Sequence, residues 1–285
     1  MMKWVGRARL KSSDDLSRIS IDIRKRLIQM IFAAKGGHIG GSLSSVDILV
    51  SLYFHAMQYD VAHFADFAKR DSFILSKGHS VEGLYCILAK AGFFPEVKLA
   101  EYGNFGTMLY GHPTPKVPGI ELPSGSLGHG LAVGVGMALA AKRDGLKRRI
   151  FVLMGDGEQA EGSVWEAAMA ASNFGLDNLV AIIDNNNLQI SGPVDSVMRS
   201  SPLGAKYESF GWTVREANGH DLSALNAAFD EVPWEKGKPN MLIAKTIKGY
   251  GASFMENKAA WHHKTPTKEE LDQAMLELDR AAEEI

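Results

Sequence analysis

Apolar positions in the first part of the chain recur at helical spacing. Leu16, Ile19, Ile23, Leu27, Met30 and Ile31 fall on one helix face, with Ser13 placed to cap the start and Gly36-Gly37 to stop it. A second helix is predicted from Ser44, where Asp47 three residues on completes a capping-box pattern and Ile48, Leu49, Leu52 and Tyr53 supply the apolar side. Residues 71–75 read as a short strand, followed by the loop Ser76-Lys77-Gly78-His79 and an apolar helical stretch over 81–91. Residues 101–125 show no period and carry Pro113, Pro115, Pro118 and Pro123; a loop of that length in a compact domain is usually functional or disordered.

The second half alternates. Continuous apolar runs at 149–154, 178–183, 212–214 and 241–244 predict buried strands, and 163–174 predicts a helix between two of them. The 126–141 stretch reads as a helix rich in Gly and Ala, a composition that suggests another backbone packing very close. A last, polar helix starts with Thr267 and Glu270 as its capping box and carries Leu271, Met275 and Leu278. Strands alternating with helices imply an α/β fold with a parallel sheet and right-handed crossovers. No repeat, low-complexity tract or linker interrupts it, so residues 1–285 are expected to form a single domain.

Composition narrows the function. With 31 basic against 33 acidic side chains there is no basic stripe for nucleic acid. The apolar runs are broken by Gly, Lys or Asp, so no membrane span is expected, and the segment from Met1 to Arg7 lacks the apolar core of a signal peptide. The single cysteine, Cys86, cannot form an internal disulfide; it fits a reducing cytoplasm and is expected to be a small core residue.

The sharpest local feature is Gly155-Asp156-Gly157 together with Asn185-Asn186. Asp156 directly follows one predicted strand and Asn186 the next, 30 positions later, about one βαβ unit. Parallel strands open on the same edge, so a carboxylate and an amide oxygen converge there. Hard oxygen ligands of this kind suit Mg²⁺, Gly157 allows close approach of a diphosphate, and the N-terminus of the helix that follows could add amide donors. Alone, Gly-Asp-Gly or Asn-Asn is ordinary turn chemistry; together, at crossover spacing, they favour a metal–diphosphate site without saying which diphosphate.

Histidines form the second feature. His38, His79, His112 and the pair His262-His263 sit in glycine-bearing or irregular loops, where imidazoles can donate to phosphate or hydroxyl oxygens and exchange protons. His55, His63, His129 and His220 are read as structural, His220 shaping a turn before a helix. Zinc fits poorly, since no His/Cys pair has finger-like spacing, and no Gly-x-Gly-x-x-Gly follows an early strand to bind a dinucleotide.

Taken in order, Gly-Gly-His-Ile-Gly-Gly, Ser-Lys-Gly-His, Gly-His-Pro, Gly-Ser-Leu-Gly-His-Gly, Gly-Asp-Gly, Glu161-Gly162, Asn185-Asn186 and Trp-His resemble the N-terminal, diphosphate-binding portion of transketolases, from about residue 15 to 268. The resemblance implies a three-layer parallel sheet with helices on both faces. It implies that Asp156, Asn186 and the Leu188 carbonyl bind Mg²⁺. It implies that His79, the Gly125-Ser126-Leu127 turn, Gly157, Asn186 and His262 hold thiamine diphosphate. His38 and His262 would face the reacting sugar, His112 would contact the donor near its C1, and Glu161 would couple cofactor sites across a dimer. His262-His263 stands where the family more usually has His-Gly, and His262 is favoured as the active-site residue because it follows Trp261.

Family members that act as one chain continue into a pyrimidine-binding domain carrying the glutamate that activates the cofactor; this sequence ends after the Thr267 helix. The expectation is therefore one subunit of a split transketolase in a cytoplasmic α2β2 assembly, moving a two-carbon ketol unit between sugar phosphates of the pentose phosphate pathway. The 101–125 loop and the Gly-rich helix would lie at the interface with the partner. The alternatives are a transketolase acting on a branched or sulfonated sugar, the α subunit of a 2-oxo acid dehydrogenase, and a non-catalytic cofactor-binding module. A single-chain deoxyxylulose-phosphate synthase shares several motifs but is longer.

Overall fold

The structure is a computed structural model that describes residues 12–285. The segment read as lacking a signal-peptide core, Met1 to Arg7, lies outside the described residues.

The chain runs α1 (Ser13–Ala34), α2 (Ile39–Ser44), α3 (Val46–Ser51), β1 (Ser72–Leu75), α4 (Val81–Lys90), α5 (His129–Arg143), β2 (Ile150–Gly155), α6 (Gly162–Asn173), β3 (Leu179–Asn185), α7 (Val194–Val197), α8 (Leu203–Ser209), β4 (Thr213–Asn218), α9 (Leu222–Asp230), β5 (Asn240–Lys245) and α10 (Lys268–Glu283). Among the described residues, five parallel strands form one sheet in the order β1-β2-β3-β5-β4. Side chains alternate across a strand, and the sheet divides its core accordingly. Phe151, Leu153, Val180, Ile182 and Leu242 join α1, α3, α4, α9 and α10 on one face. Val152, Met154, Ala181, Ile183 and Met241 join α5, α6 and α8 on the other. The three-layer α/β arrangement expected from the sequence is the one observed.

Local corrections have physical causes. The cap of α1 is Ser12, in a reciprocal box with Asp15, not Ser13. Ser44 caps nothing: its hydroxyl donates to Asp184 Oδ2 at 2.6 Å, and the helix breaks at Ser45 between α2 and α3. Asp47 instead takes two hydrogen bonds from the Arg24 guanidinium, at 3.0 and 2.6 Å, and contacts His220 Nδ1 at 2.8 Å. Buried tertiary partners outcompete the local cap at both positions. Strand β4 runs on to Asn218, beyond the apolar run, because it is an edge strand whose other positions are polar. Helix α5 begins at His129, after Gly128 at φ +85°. Its glycines do allow close packing: Gly130 lies against Ser76 and Gly134 against Val152. Cys86 is buried in α4, as expected.

Within the irregular 101–125 region, Glu121 gathers the most partners. Glu121 accepts from Arg70 at 2.9 and 3.1 Å, Arg148 at 3.1 Å, the Ser72 hydroxyl at 2.9 Å and the Phe73 N–H at 3.1 Å. The loop is thereby fixed to the start of β1 and β2.

Candidate active site

At the C-terminal edge of the sheet lies a cavity of about 390 Å³, lined by loops that follow β1, β2, β3 and β5. The register sets Gly155 beside Asp184 and Asn185 beside Lys245, so the segments carrying Asp156, Asn186 and Lys248 leave the sheet side by side. Of the residues singled out from sequence, His38, His79, His112, Gly125, Leu127, Asp156, Gly157, Asn186, Leu188 and His262 all line this cavity. Ser126 does not; its carbonyl lies 3.2 Å from His129 Nδ1. Helix α6 does not reach the cavity either. A short 3₁₀ turn, Gly157–Ala160, intervenes, so the amides nearest a ligand belong to that turn.

The imidazoles form one cluster. His38 stands at the centre, its ring centroid 5.4 Å from His79, 6.0 Å from His112, 5.6 Å from His262 and 4.6 Å from His263. His79 and His262 stack at 5.2 Å. The neighbouring pair thus splits: His262 enters the cavity while His263 stays exposed at its rim beside His38. Burial, reinforced by His263, His112 and Lys248, lowers His38 to about 4. Burial, then Lys248 and His38, lowers His262 to about 3. Both rings are neutral near pH 7 and can each donate from one nitrogen and accept at the other. The remaining four histidines have partners away from the cavity: His55 pairs with Asp230, His63 with Asp60 and His129 with turn carbonyls. His220 stacks on Tyr250 at 3.6 Å and accepts from the Ile247 N–H.

Buried charges hold the loops. Glu158 takes hydrogen bonds from the Ser76 hydroxyl, from Gly128 N at 2.8 Å and from Gly155 N at 3.1 Å, tying three cavity loops together. Glu82 accepts from His38 N at 2.8 Å, Ser42 at 2.9 Å and Tyr102 at 2.8 Å, which sets the loop bearing His38. Lys77 is paired with Asp184 and donates to the Gly41 carbonyl at 3.0 Å. Asp184 also receives the Ser44 and Thr246 hydroxyls and lies under Asn186. Sequence reading gives none of Glu82, Glu158, Asp184 or Lys248 a role. For Lys248 a signal exists: it precedes Gly249 shortly after β5, on the same sheet edge as Asp156.

Cofactor fit can be tested on the residues themselves. Asp156 is buried; it accepts from Gly157 N at 2.7 Å, Asn185 Nδ2 at 3.3 Å and the Asn187 N–H, and among the described residues no cationic side chain pairs with it. Burial and the Asp184 charge raise it to about 6. A divalent cation would reverse that shift. Asn186 Oδ1 and the Leu188 carbonyl offer two further hard oxygens, and Lys248 Nζ lies 3.2 Å from the latter, 2.9 Å from His262 Nδ1. His38 Nδ1 and Gln189 Nε2 are buried without hydrogen-bond partners. The oxygens of Asp156, Asn186 and Leu188, the Lys248 ammonium and the orphaned polar atoms are what a metal-bound diphosphate would satisfy.

Comparison with known proteins bears on the same region. Residues 17–280 match the family model of the transketolase thiamine diphosphate-binding domain. The chain is 47% identical over 262 residues to one subunit of the apulose-4-phosphate transketolase of Phocaeicola vulgatus, covering 92% of this chain and 93% of the relative. It is 40% identical to the 6-deoxy-6-sulfo-D-fructose transketolase subunit SqwG of Clostridium sp., over 93% of this chain and 97% of that one. Among solved structures, transketolase from Campylobacter jejuni superposes with a TM-score of 0.85 at 29% identity, covering 93% of this chain and 42% of that protein. The chain therefore spans about two-fifths of the solved transketolases it matches. Motif order, sheet topology and these matches agree: the chain belongs to the transketolase family, as its thiamine diphosphate-binding part.

Proposed function

We propose that this chain is the diphosphate-binding half of a split transketolase and that it works with a second chain carrying the pyrimidine-binding domain, two copies of each in the assembly. The reading is supported by relatives that are themselves named as subunits and that this chain covers almost end to end. The observation that carries it is the cavity in which the histidine cluster meets Asp156, Asn186 and Lys248.

In this reading Asp156, Asn186 and the Leu188 carbonyl hold Mg²⁺. Gly157, His79, the Gly125–Leu127 turn and Lys248 hold the diphosphate of thiamine diphosphate. The bound cofactor supplies the carbon nucleophile that accepts and passes on a two-carbon ketol unit. Neutral His38 and His262 hold sugar hydroxyls and move a proton at the reacting carbonyl oxygen, a role suited to imidazoles kept uncharged by burial. His112, braced by Gly125 and by the Tyr85 hydroxyl on its carbonyl at 3.2 Å, orients the donor end of the sugar. The donor is a ketose phosphate, or a ketose whose phosphate is replaced by a sulfonate, and the acceptor an aldose phosphate. Relatives named for apulose 4-phosphate and 6-deoxy-6-sulfo-D-fructose favour a sugar outside the pentose phosphate pathway.

The test is a coupled ketol-transfer assay with Mg²⁺ and thiamine diphosphate, on the chain alone and with its candidate partner. Apulose 4-phosphate, 6-deoxy-6-sulfo-D-fructose and xylulose 5-phosphate would be the donors. Activity confined to the mixture is expected. Full activity of the isolated chain would refute the split-enzyme reading, and no transfer from any donor would refute the reaction.

A further inference from the structure

Across the cavity floor, Gln189 lies on Gly157 with its carboxamide turned inward. A Cβ built on Gly157 would sit 2.8 Å from Gln189 Cγ and 3.5 Å from its Nε2, so the absent side chain at 157 makes the room that Gln189 fills. Backbone geometry fixes this placement. Gln189 N donates to Gly192 O at 2.8 Å, Val194 N donates to Asn187 O at 3.0 Å, and Leu188 bridges to Pro193. Asn187 takes φ +62° to start that turn. Gln189 Nε2 is nonetheless buried without an acceptor. The nearby Asp156 carboxylate is already engaged by Gly157, Asn185 and Asn187 and does not accept from it. A buried amide donor is seldom left unmatched in a folded protein, so an acceptor is expected from outside the chain. Lys248 lines the same cavity and, among the described residues, has no carboxylate partner, so its charge favours an anionic acceptor, whereas Lys77 is paired with Asp184.

We propose that Gln189 is a diphosphate-positioning residue: its carboxamide N–H donates to a diphosphate oxygen of the bound cofactor and clamps it against the Gly157 backbone. The proposal rests on the cofactor reading above and assigns to that site a donor which the motif comparison did not.

Binding distinguishes the two. Thiamine diphosphate, inorganic diphosphate and thiamine would be titrated with Mg²⁺ into the assembled chain and partner by calorimetry, for the native protein and for Gln189→Met and Gln189→Ala. The Met variant keeps the packing over Gly157 without the donor. A neutral donor facing a charged acceptor is worth roughly tenfold to a hundredfold in Kd. Both variants should weaken thiamine diphosphate and inorganic diphosphate by that factor and leave thiamine unchanged. Native affinity for both diphosphates in the Met variant overturns the proposal alone. Equal weakening of thiamine overturns it too, as the role would then be packing. Failure of the native assembly to bind thiamine diphosphate overturns the cofactor reading and the proposal together.

Discussion

Gly40→Ala probes how the cavity walls are locked to one another. Gly40 lies in the first turn of α2, and a Cβ there would lie 2.6 Å from the Trp261 carbonyl oxygen and 3.2 Å from Trp261 C and Lys248 Cγ. Gly40 O also accepts from Gly249 N at 3.0 Å, so the segments cannot simply part. Ordinary contact needs ~3.4 Å, so the Trp261 carbonyl must retreat by about 0.8 Å. Overpacking of this kind costs roughly 1–3 kcal/mol of stability. The larger effect falls on function, because His262 follows Trp261 directly and Lys248 bonds to its ring. A displacement approaching 1 Å at a reacting group costs on the order of a hundredfold in rate. The expected result is a modest fall in Tm with a large fall in kcat, and little change in Kd for inorganic diphosphate. The assays are calorimetric unfolding, steady-state ketol transfer and diphosphate titration on the same preparation. A variant with native kcat would refute the claim that the Gly40–Trp261 contact sets His262.

Three further outcomes are expected. Asp47 is buried, which opposes its ionisation, but Arg24 and His220 outweigh burial and hold the carboxyl well below the usual range. The stability it lends is full above about pH 4 and lost as pH falls through the lowered folded value; Asp47→Ala should lose about 3–5 kcal/mol at pH 7 and show a flatter acid limb in urea titrations. Glu121→Ala strands Arg70 and Arg148, so limited proteolysis should cut within residues 101–125 far faster than in the native chain, while an unchanged cleavage pattern would show that other contacts hold the loop. Lys248→Met should weaken thiamine diphosphate binding by tenfold or more and flatten its salt dependence, since a charge at the phosphates is lost; a Kd and salt slope like the native values would remove Lys248 from the site.

Legibility in the sequence follows burial. Strands β2, β3 and β5 are covered on both faces, so they read as unbroken apolar runs and their predicted bounds fall within about two residues of the observed ones. Edge strand β4 alternates, and its apolar pattern marks only the first residues. Cavity residues are legible where a glycine-rich loop ends a strand, as at Asp156, Asn186 and His79. Glu82, Glu158 and Asp184 are not, because nothing in their neighbours in the sequence distinguishes a buried carboxylate from a solvated one; their partners are at 40, 82 and 107 positions' remove. The histidine pair shows the same limit. His262 and His263 are adjacent in the chain, and only the fold sends one inward and leaves the other at the rim.

The position of β1 sets an order of assembly. It ends at Leu75, and among the described residues its one neighbour in the sheet, β2, begins at Ile150, whereas β2 and β3 are joined through a 3₁₀ turn and α6. Closing a loop of about 75 residues costs roughly 4 kcal/mol of chain entropy before the pairing is rewarded. The β2–α6–β3 unit is therefore the natural nucleus, and β1 joins it late. Ser76, Lys77 and His79 follow β1 immediately, so in this order Asp156 and Asn186 are in place before the wall that completes the cavity arrives. Competence to hold cofactor becomes one of the last properties the folding chain acquires, and pulse-labelled hydrogen exchange should find the amides of β1 protected after those of β2 and β3.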